Sequence, residues 1–175
     1  MTQLPDVLVW LLPLFFVLHE AEEILFLPAW LHNHREEVMR RFPRLYRLLF
    51  SRLDGISRGA FAGIAAEEFL WIAGAASCAT FARLYYPWLA LFLAFGLHLV
   101  IHFLQAAAVG RILPVVVSSL AGLLYCGWGL QILCESRLFD VRDYLLCAAA
   151  GSLFAGMNLF LMHSLASKIR RRSAS

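Results

Sequence analysis

The stretch VWLLPLFFVLHEAEEILFLPAWL, residues 9–31, decides the fold class of this chain and raises its main question. Its flanks are almost entirely apolar, and a membrane-spanning helix needs about 20 mainly apolar residues. Its centre, HEAEE at residues 19–23, carries one imidazole and three carboxylates. Charged groups of this kind are costly inside hydrocarbon, so the rest of the chain must provide partners for them.

Composition places the whole chain among integral membrane proteins. Of its 175 residues, 61% are hydrophobic and only 15% are charged, whereas soluble domains carry about 25% charged residues. We therefore predict an all-α, polytopic membrane helical bundle that forms a single transmembrane domain over residues 1–175. Its transmembrane helices, about five in number, are predicted at about residues 7–30, 58–81, 87–109, 113–134 and 144–166.

Basic residues predict the orientation of the bundle. Twelve of the 15 Lys and Arg residues fall in the loop after the first span, in the turn at Arg111 and in the C-terminal tail. Because an excess of Lys and Arg marks the cytoplasmic face, we expect the N-terminus outside and the C-terminus in the cytoplasm. The expected location is the bacterial cytoplasmic (inner) membrane.

The loop after the first span contains a further pattern. Over about residues 42–53, apolar and basic side chains would gather on different faces of a helix. This pattern predicts a basic amphipathic segment that binds anionic lipid of the inner leaflet. The net charge of +3 comes mainly from such topology signals, so nucleic acid is not an expected partner.

Polar residues inside the predicted spans are the main indication of function. At about 2.5–3.5 kcal/mol each, five ionised carboxylates exposed to lipid would cost roughly 12–18 kcal/mol. We therefore expect them to face the bundle interior, where protonation, hydrogen bonds, water or a metal cation compensates their charge. The spans contain five of the twelve acidic residues and four of the six histidines, namely Glu20, Glu22, Glu23, Glu67, Glu68, His19, His98, His102 and His163.

Helical spacing groups these residues into one predicted site. Residues three and four apart share a helix face, so His19, Glu22 and Glu23 lie within an arc of about 100°. His98 and His102 are one turn apart by the same rule. At about 1.5 Å of rise per residue, a common depth of about 12–14 Å from the cytoplasmic helix ends is predicted for Glu22, Glu67, His102 and Asn158.

We predict metal ligation at this site by eight residues: His19, Glu22, Glu23, Glu67, Glu68, His98, His102 and His163. Hydrogen-bonding support for the ligands is expected from Glu20, Gln105 and Asn158. The spacing leaves open which Glu of each pair is a ligand, and whether His163 or Asn158 faces the site.

The sequence resembles the HXXEE-domain family of integral membrane proteins. The resemblance rests on HEAEE in the first predicted span, on Glu67 with Glu68 in the second, and on the paired histidines His98 and His102. It covers most of the chain. It implies a metal-binding site that joins later Glu and His residues to His19, Glu22 and Glu23.

The chemical types of the predicted ligands limit which metals the site could bind. Imidazole and carboxylate together suit zinc, iron or manganese, whereas calcium and magnesium prefer oxygen alone. We predict a transition metal, iron or zinc, and the surplus of ligands over four leaves room for two ions. In a single-zinc site, His19 and Glu23 would bind the ion and Glu22 would act as general base. Glu22 and Glu23 are therefore the predicted catalytic residues.

Three functions use such a cluster. The first is a metal-dependent enzyme that oxidises or hydrolyses a membrane lipid or another lipophilic small molecule. The second is a proton-coupled or metal-ion transporter or channel, because intramembrane Glu and His residues also form ion paths. The third is a non-catalytic metal- or haem-binding membrane subunit. Assembly into a homo-oligomer is an open alternative for each.

Overall fold

The computed structural model describes residues 3–47, 57–111 and 113–173, and all regular structure in these ranges is helical. This confirms the predicted all-α class. Five of the helices are long and one is a single short turn. They are α1 (Asp6–Arg41), α2 (Pro43–Leu45), α3 (Arg58–Ala82), α4 (Tyr85–Val109), α5 (Val116–Ser136) and α6 (Val141–Ser173).

Local sequence signals set several of the helix ends. The Ser57 hydroxyl accepts a hydrogen bond from the Ala60 backbone N–H and caps the start of α3. Asp140 and Asp143 cap the start of α6 reciprocally, since each carboxylate accepts a hydrogen bond from the other residue's backbone N–H. Gly110 ends α4 with φ of 69°, a left-handed conformation that glycine adopts without strain.

Four of the five predicted spans are confirmed as helices long and apolar enough to cross a membrane: Arg58–Ala82, Tyr85–Val109, Val116–Ser136 and Val141–Ala166. The helix α1 is long enough, but the carboxylates of HEAEE lower its apolar character. It also continues eleven residues beyond the predicted end at about residue 30. The extension contains no Pro or Gly that would interrupt the helix. The helix ends at Arg41 because the next residue, Phe42, precedes Pro43, and a residue before proline disfavours helical geometry.

Side chains of α4 and α5 fix the first turns of α1. Pro13 lacks an N–H and so leaves the Val9 carbonyl without its helical donor. The Trp88 Nε1–H of α4 donates to this carbonyl at 3.1 Å. From α5, the Tyr125 hydroxyl donates to the Leu8 carbonyl at 2.9 Å. These bonds hold α1 between α4 and α5.

A close approach also joins α6 to α4. A Cβ atom at Gly151 of α6 would overlap the backbone of Ala90 in α4, so only glycine allows this contact. The pairs α1 with α3, α4 with α5, α3 with α4 and α1 with α5 pack together as well. The resulting bundle brings α1, α3, α4, α5 and α6 around one polar region.

The predicted amphipathic segment at about residues 42–53 is described only as far as residue 47, and residues 48–56 lie outside the described part of the chain. Its described part contains α2, and Tyr46 is buried against Val38 and Val109. The predicted orientation, the single-domain organisation and the contact with anionic lipid stay predictions.

Candidate metal centre

Two helices supply paired side chains to the polar region. In α1, His19 and Glu23 are one turn apart and point to the same side. In α4, His98 and His102 are one turn apart and point back towards α1. One ligand atom from each of these four residues, called the metal quartet below, lies within 4.8 Å of the other three. A helix pair thus assembles four metal-ligating groups at one point.

The distances within the metal quartet are those of converging ligands. The His98 Nε2 atom lies 3.2 Å from His19 Nε2 and 3.0 Å from His102 Nε2. The Glu23 Oε1 atom lies 2.9 Å from His102 Nε2 and 3.9 Å from His19 Nε2. Ligand atoms bonded at about 2.0–2.1 Å to one tetrahedral ion lie about 3.3 Å apart. The quartet has therefore the size of a site for one ion.

A hydrogen bond from α5 orients the His19 ring. The Ser118 hydroxyl lies 3.0 Å from His19 Nδ1 and 3.3 Å from the Val115 carbonyl oxygen. The hydroxyl proton is donated to the carbonyl, so the hydroxyl oxygen accepts the Nδ1–H of a neutral His19 ring. The lone pair of that ring is then on Nε2, the atom that faces the other three ligands. Such outer hydrogen bonds fix the tautomer of metal-binding histidines.

Burial adds to the argument for a cation. His19 is fully buried, and Glu23 and His102 are 7% and 4% exposed. Nitrogen lone pairs and a carboxylate that converge in a dry interior repel one another unless a proton or a cation lies between them. The metal quartet can therefore hold a metal ion, as predicted, and three imidazoles with one carboxylate form its ligand set.

The second carboxylate of the EE pair takes a different position. Glu22 Oε2 accepts a hydrogen bond from the Ser118 backbone N–H at 3.0 Å. Ser118 is the third residue of α5, so the Glu22 carboxylate lies at the positive end of that helix. The structure thus separates Glu23, a member of the metal quartet, from Glu22, which caps a helix.

Glu67 also lies apart from the metal quartet. Its carboxylate accepts hydrogen bonds from Trp71 Nε1 on the same helix and, at 2.7 Å, from Asn158 Nδ2 on α6. Glu67 and Asn158 were predicted at a common depth, and this contact shows them side by side. The pair joins α3 to α6 at the edge of the site.

The remaining predicted site residues line a cavity of about 400 Å³ between α1, α3, α4 and α6. Its wall is mainly apolar, and three members of the metal quartet, Glu23, His98 and His102, form part of it. The cavity is also lined by predicted site residues outside the quartet, namely Glu20, Glu68, Gln105, Asn158 and His163. The structure thus places these five residues beside the quartet, around the same space.

Ser118 was not among the site residues predicted from the sequence. It touches two predicted site residues, His19 through its hydroxyl and Glu22 through its backbone. A single serine in an apolar helix is common and packs without chemistry, so its presence alone gives no signal. Its position two residues after the start of α5, where backbone N–H groups lack helical partners, is the one feature that could have indicated it.

Comparison with known proteins agrees with the motif. A family model described as "Protein of unknown function with HXXEE motif" matches residues 10–129. No curated protein and no solved structure matches the chain. The matched segment covers more than half of the 175 residues and contains the whole metal quartet and Ser118. The chain therefore belongs to the HXXEE family.

Proposed function

We propose that this protein is a membrane-embedded, metal-dependent enzyme that acts on a lipid or another lipophilic molecule dissolved in the bilayer. One observation carries the proposal: three members of the metal quartet form part of the wall of a mainly apolar cavity. Volumes of about 300–1,000 Å³ are typical of small-molecule sites. A metal-binding cluster that faces such a space can act on what the space binds.

Access to the cavity supports a membrane-dissolved substrate. Trp71, Leu97 and Ile101 line the cavity and are about half exposed on the surface of the bundle. They belong to α3 and α4, which are long and apolar enough to cross a membrane. The surface on which these side chains are exposed would face lipid tails, so a substrate would enter sideways from the bilayer.

The ligand set supports zinc or iron. Three imidazole nitrogens and one carboxylate oxygen are unsuited to calcium and magnesium, which prefer oxygen ligands. The described part of the chain contains one such group of ligands, so we propose one ion rather than two. A zinc ion would supply a Lewis acid and an activated water for hydrolysis, whereas iron would support oxidation.

Two features weigh against the alternative functions. A transporter needs a polar path through the whole membrane, but on the side of the metal quartet towards the start of α1 the interior is filled by apolar side chains such as Leu12, Trp88 and Phe92. Haem held by two histidines needs them on opposite faces of its iron, whereas the three Nε2 atoms converge on one point. Both features favour a catalytic ion.

Metal analysis of the purified protein tests the first step of the proposal. We expect about one zinc or iron per chain in the wild type, and loss of that metal in His98→Ala and His102→Ala. The control is His32→Ala, because His32 is an exposed residue of α1 more than two turns beyond Glu23. A wild type without transition metal, or undiminished metal in both site variants, would contradict the proposal.

Turnover in vesicles tests the second step. The metal-loaded protein is reconstituted into sealed vesicles of phosphatidylethanolamine and phosphatidylglycerol that are supplemented with a membrane lipid extract. Mass spectrometry is expected to detect a lipid product with the wild type and His32→Ala but not with His102→Ala. Metal flux into the vesicles without any lipid product would favour transport instead.

A further inference from the structure

Three of the five intramembrane carboxylates have partners within the protein. Glu22 accepts from the Ser118 backbone N–H, Glu23 lies 2.9 Å from His102 Nε2, and Glu67 accepts from Asn158 and Trp71. Each partner compensates the loss of water around a buried carboxylate. These three groups are therefore accounted for by the protein itself.

Glu20 and Glu68 differ from them. Within residues 3–47, 57–111 and 113–173, neither side chain accepts a hydrogen bond or forms an ion pair. Glu20 is only 7% exposed, and both residues line the cavity beside the metal quartet. The Glu20 carboxyl group is close enough to those of Glu23 and Glu68 to interact with them electrostatically. A buried acidic group without a partner is costly, and a cationic ligand in the cavity would provide one.

We propose that the cavity binds a lipophilic amine, with its protonated amino group between Glu20 and Glu68 and its apolar body along the cavity wall. The inference rests on the proposed function and names its substrate class. An ammonium group has three N–H donors and a positive charge, which suits two carboxylates that lack donors. Phe16, Ile64 and Ile101 are among the wall residues that an apolar body would contact.

The balance of charge agrees with an amine. Glu20, Glu23 and Glu68 together bring three negative charges to the cavity wall when ionised. A divalent ion in the metal quartet would compensate two of these charges, and one monovalent ammonium group would compensate the third. A fatty acid would add a negative charge, and an alcohol would leave one charge uncompensated.

A second metal ion is the competing occupant. In the described part of the chain, only the metal quartet brings ligand atoms of three or more His, Cys, Asp or Glu residues within 4.8 Å of one another. Glu20 and Glu68 do not belong to such a group, so no third His, Cys, Asp or Glu of the described residues completes a set of metal ligands with them. Because metal ions in proteins are held by more ligands than two carboxylates, this pair favours an organic cation.

Binding of dodecylamine tests the inference. The metal-loaded wild type is placed in phosphatidylcholine nanodiscs, and binding of tritiated dodecylamine is measured by scintillation proximity, with empty nanodiscs as the correction for partition into lipid. Dodecanol and dodecanoic acid, which have the same chain length, compete for the site. We expect dodecylamine to bind at least about tenfold more tightly than dodecanol, and dodecanoic acid to bind most weakly.

Two variants locate the site of binding. Glu20→Gln and Glu68→Gln keep the size of the side chain, and each is expected to weaken dodecylamine binding about tenfold while dodecanol binding changes little. Glu135→Gln is the control, because Glu135 is an exposed residue of α5 that accepts from Gln131. The partly exposed Glu68 keeps the test decisive if Glu20→Gln fails to fold.

The outcomes separate this inference from the proposed function. Equal affinity for dodecylamine and dodecanol in a protein that holds its metal overturns the inference alone. Unchanged dodecylamine binding in both variants overturns it as well, as does a second metal ion per chain that is lost in Glu20→Gln and Glu68→Gln. Amine binding that depends on Glu20 and Glu68 in a protein without metal would support the inference and contradict the proposed function.

Discussion

Two halves of the same bundle have opposite interiors. The packed half surrounds residues 6–16 of α1, and its core includes Leu8, Leu12, Trp88, Phe92 and Leu133, each at most 1% exposed. The polar half surrounds residues 19–27 of α1 and contains the metal quartet and a cavity of about 400 Å³. The same helices build both halves, so the difference comes from the side chains that each helix presents along its length.

This difference indicates that the two halves of the bundle have different roles. Lipid tails are as apolar as Leu, so helices in a bilayer associate through close packing and hydrogen bonds rather than through hydrophobic burial. The packed half provides both, including the bonds from Trp88 and Tyr125 to carbonyls of α1. The polar half gathers groups that repel one another in the absence of a cation. Stability is therefore expected to depend on the packed half, and chemistry on the polar half.

Truncation of one phenylalanine in each half tests this division with the largest expected effect. Phe92 stacks on Trp88 at 5.0 Å and is 1% exposed. Phe92→Ala leaves a hole of about 100 Å³, and at about 24 cal/mol per Å³ this cavity alone lowers the free energy of unfolding by about 2.4 kcal/mol. Phe154 lines the cavity and is 38% exposed, so Phe154→Ala is expected to cost less than about 1 kcal/mol.

Unfolding of the purified variants in detergent by sodium dodecyl sulphate, followed by circular dichroism, measures both losses. The metal content per folded chain is expected to stay at the wild-type value in each variant. Equal losses of stability for Phe92→Ala and Phe154→Ala would show that the two halves do not differ as described.

The sequence predicted the members of the polar half better than their arrangement. Buried charge is costly in a membrane, so the apolar surroundings of Glu and His residues already indicated which side chains meet. The spacing of His19, Glu22 and Glu23 defined one arc, but the rotation of α1 relative to α4 and α5 decides which of them reaches which neighbour. That rotation depends on contacts such as Trp88 with Val9, which no local pattern encodes.

Two neighbouring serines of α5 lie at the boundary of the polar half and differ in their hydrogen-bond partners. Ser118 accepts from His19 Nδ1, whereas the Ser119 hydroxyl is buried and donates only to the Val115 carbonyl. Loss of an outer hydrogen bond lowers metal affinity about 10- to 100-fold. Because Ser118 is a neutral acceptor, Ser118→Ala is expected to lower metal affinity about tenfold, at the lower end of this range.

Competition with a chelator of known affinity measures this effect on the purified protein. Ser119→Ala is the matched control, since it removes a hydroxyl of the same kind one residue away and is expected to leave metal affinity unchanged. If both variants bind the metal as tightly as the wild type does, Ser118 does not orient His19, and the tautomer assigned to that ring is wrong.

The smallest expected effect is a loss of stability in Glu22→Gln, and it distinguishes Glu22 from Glu23, the other carboxylate of the EE pair. Glu22 accepts from the Ser118 N–H at the start of α5, and Glu22→Gln keeps an oxygen acceptor there but removes the charge. A charge at a helix N-terminus contributes about 0.3–1 kcal/mol, so unfolding in detergent should show a loss in that range with metal content unchanged. Glu23→Gln, at the other carboxylate, is expected to lower metal content strongly, since a neutral amide is a poor ligand. Loss of metal in Glu22→Gln would instead assign Glu22 to the ion, as one of the predictions from sequence had it.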